Sequence, residues 1–119
     1  MINLTNREVL IWLSSLNISN KSIEKIMEQI PNLNQLPNLD AKYIYNLKGI
    51  KNNVMEKIIK NRNENYINTL FNTIEGNNME TITILDKNYP ESLYHIYDSP
   101  KVLYKKGDIH EKDRIAIGI

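Results

Sequence analysis

The stretch Lys48-Gly49-Ile50-Lys51 combines residue types that suit one simple chemistry, contact with phosphate. A glycine lets backbone N–H groups approach an anion beside a helix N-terminus, and two lysines add positive charge. The glycine-rich form of such a turn has a second Gly two residues on; here that position holds Lys51. The competing reading makes Gly49 an ordinary turn residue and gives this region a packing or partner-docking role. Other reactive residue types are sparse. His95 and His110 lie apart in sequence and form no metal-binding pattern, and there is no cysteine, which excludes a disulfide framework and a Cys-based zinc site. The carboxylates are scattered, no nucleophile sits in a recognisable elbow, and no glycine-rich phosphate loop is present. These residues predict no catalytic site, no cofactor and no metal.

The elements that would position the turn are helical. Thr5 to Leu16 reads as a first helix: Thr5 and Glu8 form a capping box, and Val9, Leu10, Trp12, Leu13 and Leu16 make a wide apolar face, with Trp12 in the core. Asn20 to Ile30 reads as a second, stopped by Pro31. The stretch PNLNQLPNL is a connector with about one turn of structure, after which Asp40 caps a short helix running through Leu47. From Asn52 to Ile74 a continuous apolar stripe predicts one long helix, or two with a break near Asn61 to Asn65, ended by Gly76-Asn77-Asn78.

This half contains an internal repeat. ISNKSIEKI from Ile18 aligns with IKNNVMEKI from Ile50: Asn20 falls on Asn52, and Glu24-Lys25-Ile26 on Glu56-Lys57-Ile58. Each block follows a helix ending in leucine, at Leu16 and Leu47. Helix, tight turn, helix is thus written twice, and two such units packed together resemble the five-helix domain known as SAM-like or helix-hairpin-helix-like. The two Glu-Lys pairs read as solvated helix faces.

After residue 78 the apolar period shortens from helical to alternating. TITIL, residues 81–85, reads as a strand. Pro90 suits the first position of a short helix through about Ile96, Asp98-Ser99-Pro100 is a turn, and Val102 to Tyr104 is a second strand. Lys106-Gly107 is a turn, and Ile115 to Ile119 is a third strand with the near-continuous apolar character of a buried parallel one. Three strands with so few residues between them look like the opening of a larger sheet. The expected division is therefore a helical domain over residues 1–78 and the start of an α/β domain over 79–119.

Charge excludes some partners. Lys and Arg number 15 against 14 Asp and Glu, for a net charge of +1. Neither half has the excess expected of a polybasic nucleic-acid or membrane binder. The longest apolar run near the start, VLIWL at residues 9–13, is too short for a secretory or membrane-spanning segment, so the expected location is the cytoplasm.

Residues 84–108, ILDKNYPESLYHIYDSPKVLYKKGD, carry a more specific signal. Asp86, Tyr89, Pro90, Leu93, Ile96, Asp98, Pro100, Leu103, Tyr104 and Gly107 follow the spacing D-x-x-YP-x-x-L-x-x-I-x-D-x-P-x-x-LY-x-x-G. This closely resembles the signature of the DNA-processing protein A family (DprA, also called Smf); Ser99 stands where a second proline is common. Structural roles are expected for all ten. Tyr89-Pro90 gives a rigid start to the short helix, Leu93, Ile96, Leu103 and Tyr104 pack helix and strand onto the sheet, and Asp98 accepts backbone N–H bonds in the turn.

The resemblance implies a SAM-like N-terminal domain followed by the first strands of an extended Rossmann-like domain. It further implies that the chain stops at that domain's first core strand, the family's glycine-rich loop and its Arg lying beyond Ile119. It implies a binding protein that covers incoming single-stranded DNA and helps load RecA during natural transformation, and that forms a homodimer through the Rossmann-like domain. The alternative is a nucleotide-processing enzyme of phosphoribohydrolase type with a helical docking domain.

Overall fold

The computed structural model describes residues 2–106 and 115–117, the last three and Lys106 as backbone alone. Among the described residues six α-helices and three strands follow in the order α1 (Asn6–Ser15), α2 (Asn20–Gln29), a 3-10 helix (Leu33–Asn38), α3 (Ala41–Tyr45), α4 (Asn52–Lys60), α5 (Glu64–Gly76), β1 (Met79–Thr83), α6 (Glu91–Tyr94), β2 (Val102–Lys106) and β3 (Ile115–Ile117). The chain is mainly helical, with a small antiparallel sheet of order β1-β2-β3.

Helix α1 lies at the centre. Thr5 and Glu8 form the expected capping box, and five consecutive residues, Val9 through Leu13, are buried. A helix apolar on every side must be covered on every side, and α1 touches α2, the 3-10 helix, α5, β1 and β2. Trp12 is fully buried, and its indole N–H donates to the carbonyl of Asn61 at 3.3 Å. The long stripe after Asn52 resolves into two helices. Asn61 ends α4, and the Asn63 side chain accepts the N–H of Tyr66 to begin α5. Between them the Arg62 guanidinium donates to the carbonyl of Leu39, where the 3-10 helix ends.

The repeat is a repeat of structure. Helices α2 and α4 start at the aligned residues Asn20 and Asn52. Each residue of the aligned apolar pairs Ile18 and Ile50, Ile23 and Met55, and Ile26 and Ile58 is buried. The match extends to backbone conformation: Asn17 has φ 61° and its counterpart Gly49 has φ 75°. Asparagine is among the few side chains that tolerate this left-handed region, so Asn17 stands in for glycine in the first turn.

The β segment differs from the sequence reading in four places. β1 begins at Met79 and ends at Thr83, so Ile84 and Leu85 lie in the turn beyond it. Pro90 is the N-cap of α6 rather than its first residue, and α6 ends at Tyr94, two residues short of Ile96. β2 runs on through Lys106, and Gly107 lies outside the described residues. β3 pairs antiparallel with β2, Leu103 opposite Ile117 and Lys105 opposite Ile115, although its apolar run predicts a parallel strand. Gly118 and Ile119 also lie outside the described residues.

Alternation along the strands sorts two clusters. Val102 and Tyr104 face the helical core, whereas Ile82 and Leu103 pack with Tyr89 and Leu93 in a second, smaller cluster. The sheet is thus held between the helices and the α6 segment.

Candidate nucleic-acid interface and signature segment

The second hairpin turn is built by three constraints. Leu47 and Ile50 are buried and anchor its ends, while Lys48, Gly49 and Lys51 are exposed. Gly49 supplies the left-handed step. From α2, Gln29 grips Lys48 at two points: its Oε1 accepts the Lys48 N–H at 2.8 Å and its Nε2 donates to the Lys48 carbonyl at 2.8 Å. The same Nε2 donates to the Lys25 carbonyl at 3.0 Å. The amide of Gln29 thus satisfies the polar groups of Lys48 as a neighbouring strand would. Lys51 is the N-cap of α4, with no side-chain oxygen capping that helix.

The two Glu-Lys pairs are more than solvated faces. Lys25, in α2, lies over the second turn: a Cβ added at Gly49 would come 3.1 Å from its Cδ and 3.2 Å from its Nζ. The aligned Lys57, in α4, reaches the first turn, its Nζ 3.4 Å from the carbonyl oxygen of Asn17. Each repeat therefore places its lysine on the other repeat's turn. Glu24 turns the opposite way, toward the β segment, where its Oε2 lies 3.4 Å from the Nζ of Lys101.

Most of the ten signature residues hold the β segment together and against the helices. The Asp86 carboxylate accepts the Thr83 N–H at 2.8 Å and closes an ion pair with Arg7 of α1 at 3.0 Å. The Arg7 guanidinium also donates to the Thr81 carbonyl and, at 3.1 Å, to the Thr81 hydroxyl. Tyr89 is buried, and its hydroxyl donates to the carbonyl of Pro100 across the loop that α6 occupies. Pro90 starts α6, Leu93 packs half-buried on the second cluster, and Pro100 and Leu103 are buried. Burial pushes the hydroxyl pKa of Tyr104 up against an opposing hydrogen bond with Ser14, and burial alone pushes that of Tyr89 up.

Two expected roles fail. Ile96 is 47% exposed, because α6 stops before reaching it, and the side chain falls on the following turn. Asp98 is exposed, and among the described residues its carboxylate accepts no backbone N–H; Asp86 fills that role at its own turn. His95 is exposed and stands edge-on to Tyr94, ring centroids 5.5 Å apart. His110 and Gly107 lie outside the described residues.

Arg7, Gln29, Ser99 and Lys101 carried no signal that local periodicity could detect. Lys101 is buried at 3% exposure, its Nζ donating to the Ser99 hydroxyl at 2.9 Å. Ser99 is the departure from the signature's common proline, so a hydroxyl two residues from a lysine was the available hint. Lys101 also holds the Glu24 carboxyl below its ordinary pKa. Among the described residues no cluster of His, Asp or Glu is placed to bind a metal, and no helix is long and apolar enough to cross a membrane.

Comparison with known families supports the resemblance read from the signature. The family of DNA recombination-mediator protein A matches residues 80–119, the last third of the chain. No curated protein and no solved structure matches the chain significantly.

Proposed function

We propose, on the premise that residues 80–119 carry the sequence of the DNA recombination-mediator protein A family, that this chain is part of a recombination mediator. Such a protein binds single-stranded DNA and helps load a RecA-type recombinase on it, as in natural transformation. The family match is the observation that carries the reading. In this proposal residues 1–78 are a SAM-like domain and residues 79–119 begin a Rossmann-like one, through which the protein dimerises. The family's principal DNA site, with its loop Arg, lies outside residues 1–119. The second hairpin, with Lys48, Gly49 and Lys51, is an auxiliary phosphate contact. These two lysines are exposed, and no carboxylate among the described residues lies within ion-pair distance of either.

Fluorescence anisotropy with a labelled single-stranded oligo-dT tests the auxiliary contact. A net charge of +1 leaves little counterion release to drive association. Residues 1–119 are expected to bind more weakly than about 10⁻⁵ M at physiological salt, more tightly at low salt, and to lose most of that binding in the Lys48→Ala/Lys51→Ala variant. Binding at low salt that is indifferent to the double substitution refutes the hairpin assignment.

A further inference from the structure

Helix α2 sorts its charges by face. Glu24 and Glu28, one turn apart, line the cleft against the signature segment with Ser99 and Lys101. Lys25 and Gln29, also one turn apart, turn to the second hairpin. The acidic side chains of this helix are therefore directed away from the turn that carries Lys48 and Lys51. Lys21, the remaining cation of α2, is committed elsewhere: its Nζ lies 3.4 Å from Glu24 and 3.9 Å from the centroid of the Tyr97 ring.

Lys25 differs from its structural counterpart in one decisive respect. Lys57 hydrogen-bonds to the Asn17 carbonyl. Among the described residues the Lys25 ammonium has no hydrogen-bond or ion-pair partner, although its side chain is laid across Gly49. An unpaired ammonium held beside a glycine with exposed backbone, next to two further unpaired lysines, is arranged to meet an anion that approaches that backbone.

We infer that Lys25, contributed by the first repeat, is the third cation of the phosphate-contacting surface formed by the second, and that this surface takes the backbone of a nucleic acid strand. The inference rests on the auxiliary contact proposed above and adds to it a residue 23 positions before Lys48 in sequence. Because each contacted phosphate of a single strand releases counterions, losing one contact lowers the slope of log K against log salt by about 0.7.

The test is anisotropy titration of residues 1–119 with labelled oligo-dT across a series of low salt concentrations. Lys25→Ala is expected to weaken binding roughly three- to tenfold at the lowest salt and to reduce the slope by about 0.7. Lys25→Arg should retain both, since it preserves the charge. Lys57→Ala, the aligned substitution, should leave affinity and slope at the wild-type values. Thermal melting of each variant separates lost contact from lost fold: a Lys25→Ala protein that melts like wild type yet shows the reduced slope supports the assignment. If Lys25→Ala binds like wild type while Lys48→Ala/Lys51→Ala does not, Lys25 is no part of the surface and the hairpin contact stands without it. If Lys57→Ala weakens binding as much as Lys25→Ala, the effect is one of general charge and the assignment is overturned. If the hairpin double variant also binds like wild type, the hairpin reading fails and this inference with it.

Discussion

Lys101→Met and Glu24→Gln delete the same ion pair, yet they should differ in cost. The asymmetry comes from where each charge lies. The side chain of Lys101 is 4% exposed, whereas that of Glu24 is 41% exposed and has a second cation, Lys21, beside it. Glu24→Gln leaves a buried ammonium with the Ser99 hydroxyl and a neutral amide. Removing one partner of a fully buried pair costs about 3–5 kcal/mol. Solvent around Glu24 and the 3.4 Å separation reduce this to about 2 kcal/mol. Lys101→Met keeps the buried methylene stem and leaves Glu24 in water beside Lys21. It costs about 0–1 kcal/mol, chiefly the Ser99 hydroxyl's lost partner. The double variant should match Lys101→Met, because once the ammonium is gone the Glu24→Gln substitution costs nothing further. Urea unfolding followed by the single, buried Trp12 measures all four proteins. Acid provides a second arm. Lys101 holds the folded Glu24 carboxyl below its unfolded pKa, so the stabilisation is present above the unfolded value and lost as pH falls through the folded one. The difference between wild type and Lys101→Met should therefore shrink as pH falls from about 5 toward 3. Equal costs for the two single variants, or a costlier Lys101→Met, would refute the claim that the ammonium is buried and dependent on Glu24.

The two left-handed turns differ in tolerance. Gly49→Ala should cost about 1–2 kcal/mol by urea unfolding, since φ is 75° there and Lys25 must move, whereas Asn17→Gly should change stability by no more than about 0.5 kcal/mol. Alkaline stability should depend on buried tyrosines. Tyr89 and Tyr104 have hydroxyl pKa values raised by burial, so the folded state resists ionisation that the unfolded chain accepts; their contribution is full below the unfolded value near 10 and is lost as pH rises through the folded values. Spectrophotometric titration should show two tyrosines ionising late and together with unfolding, and Tyr89→Phe should remove one of them.

What could be read from sequence was whatever is encoded between neighbours. The capping box of Thr5 and Glu8, the break between α4 and α5 and the aligned starts of α2 and α4 depend on residues within one or two turns of each other. Strand β1 ends two residues before the apolar alternation does, because Ile84 and Leu85 continue that alternation into a turn; only pairing with β2, Thr83 opposite Val102, determines where the ladder stops. Ile96 is exposed for a related reason: it has helical spacing from Leu93, but α6 ends before reaching it. The candidate surface was legible in part. Lys48, Gly49 and Lys51 fall within four consecutive residues, and their exposure follows from a turn whose buried anchors are Leu47 and Ile50. Glu24 and Lys25, read as one solvated pair, separate because adjacent helical positions point about 100° apart. Glu24 meets Lys101 from the entrance to β2, 77 residues away, and Lys25 meets Gly49 from the other repeat. Helical periodicity specifies the direction of each side chain; the partner waiting there is decided by how the helices and the sheet pack.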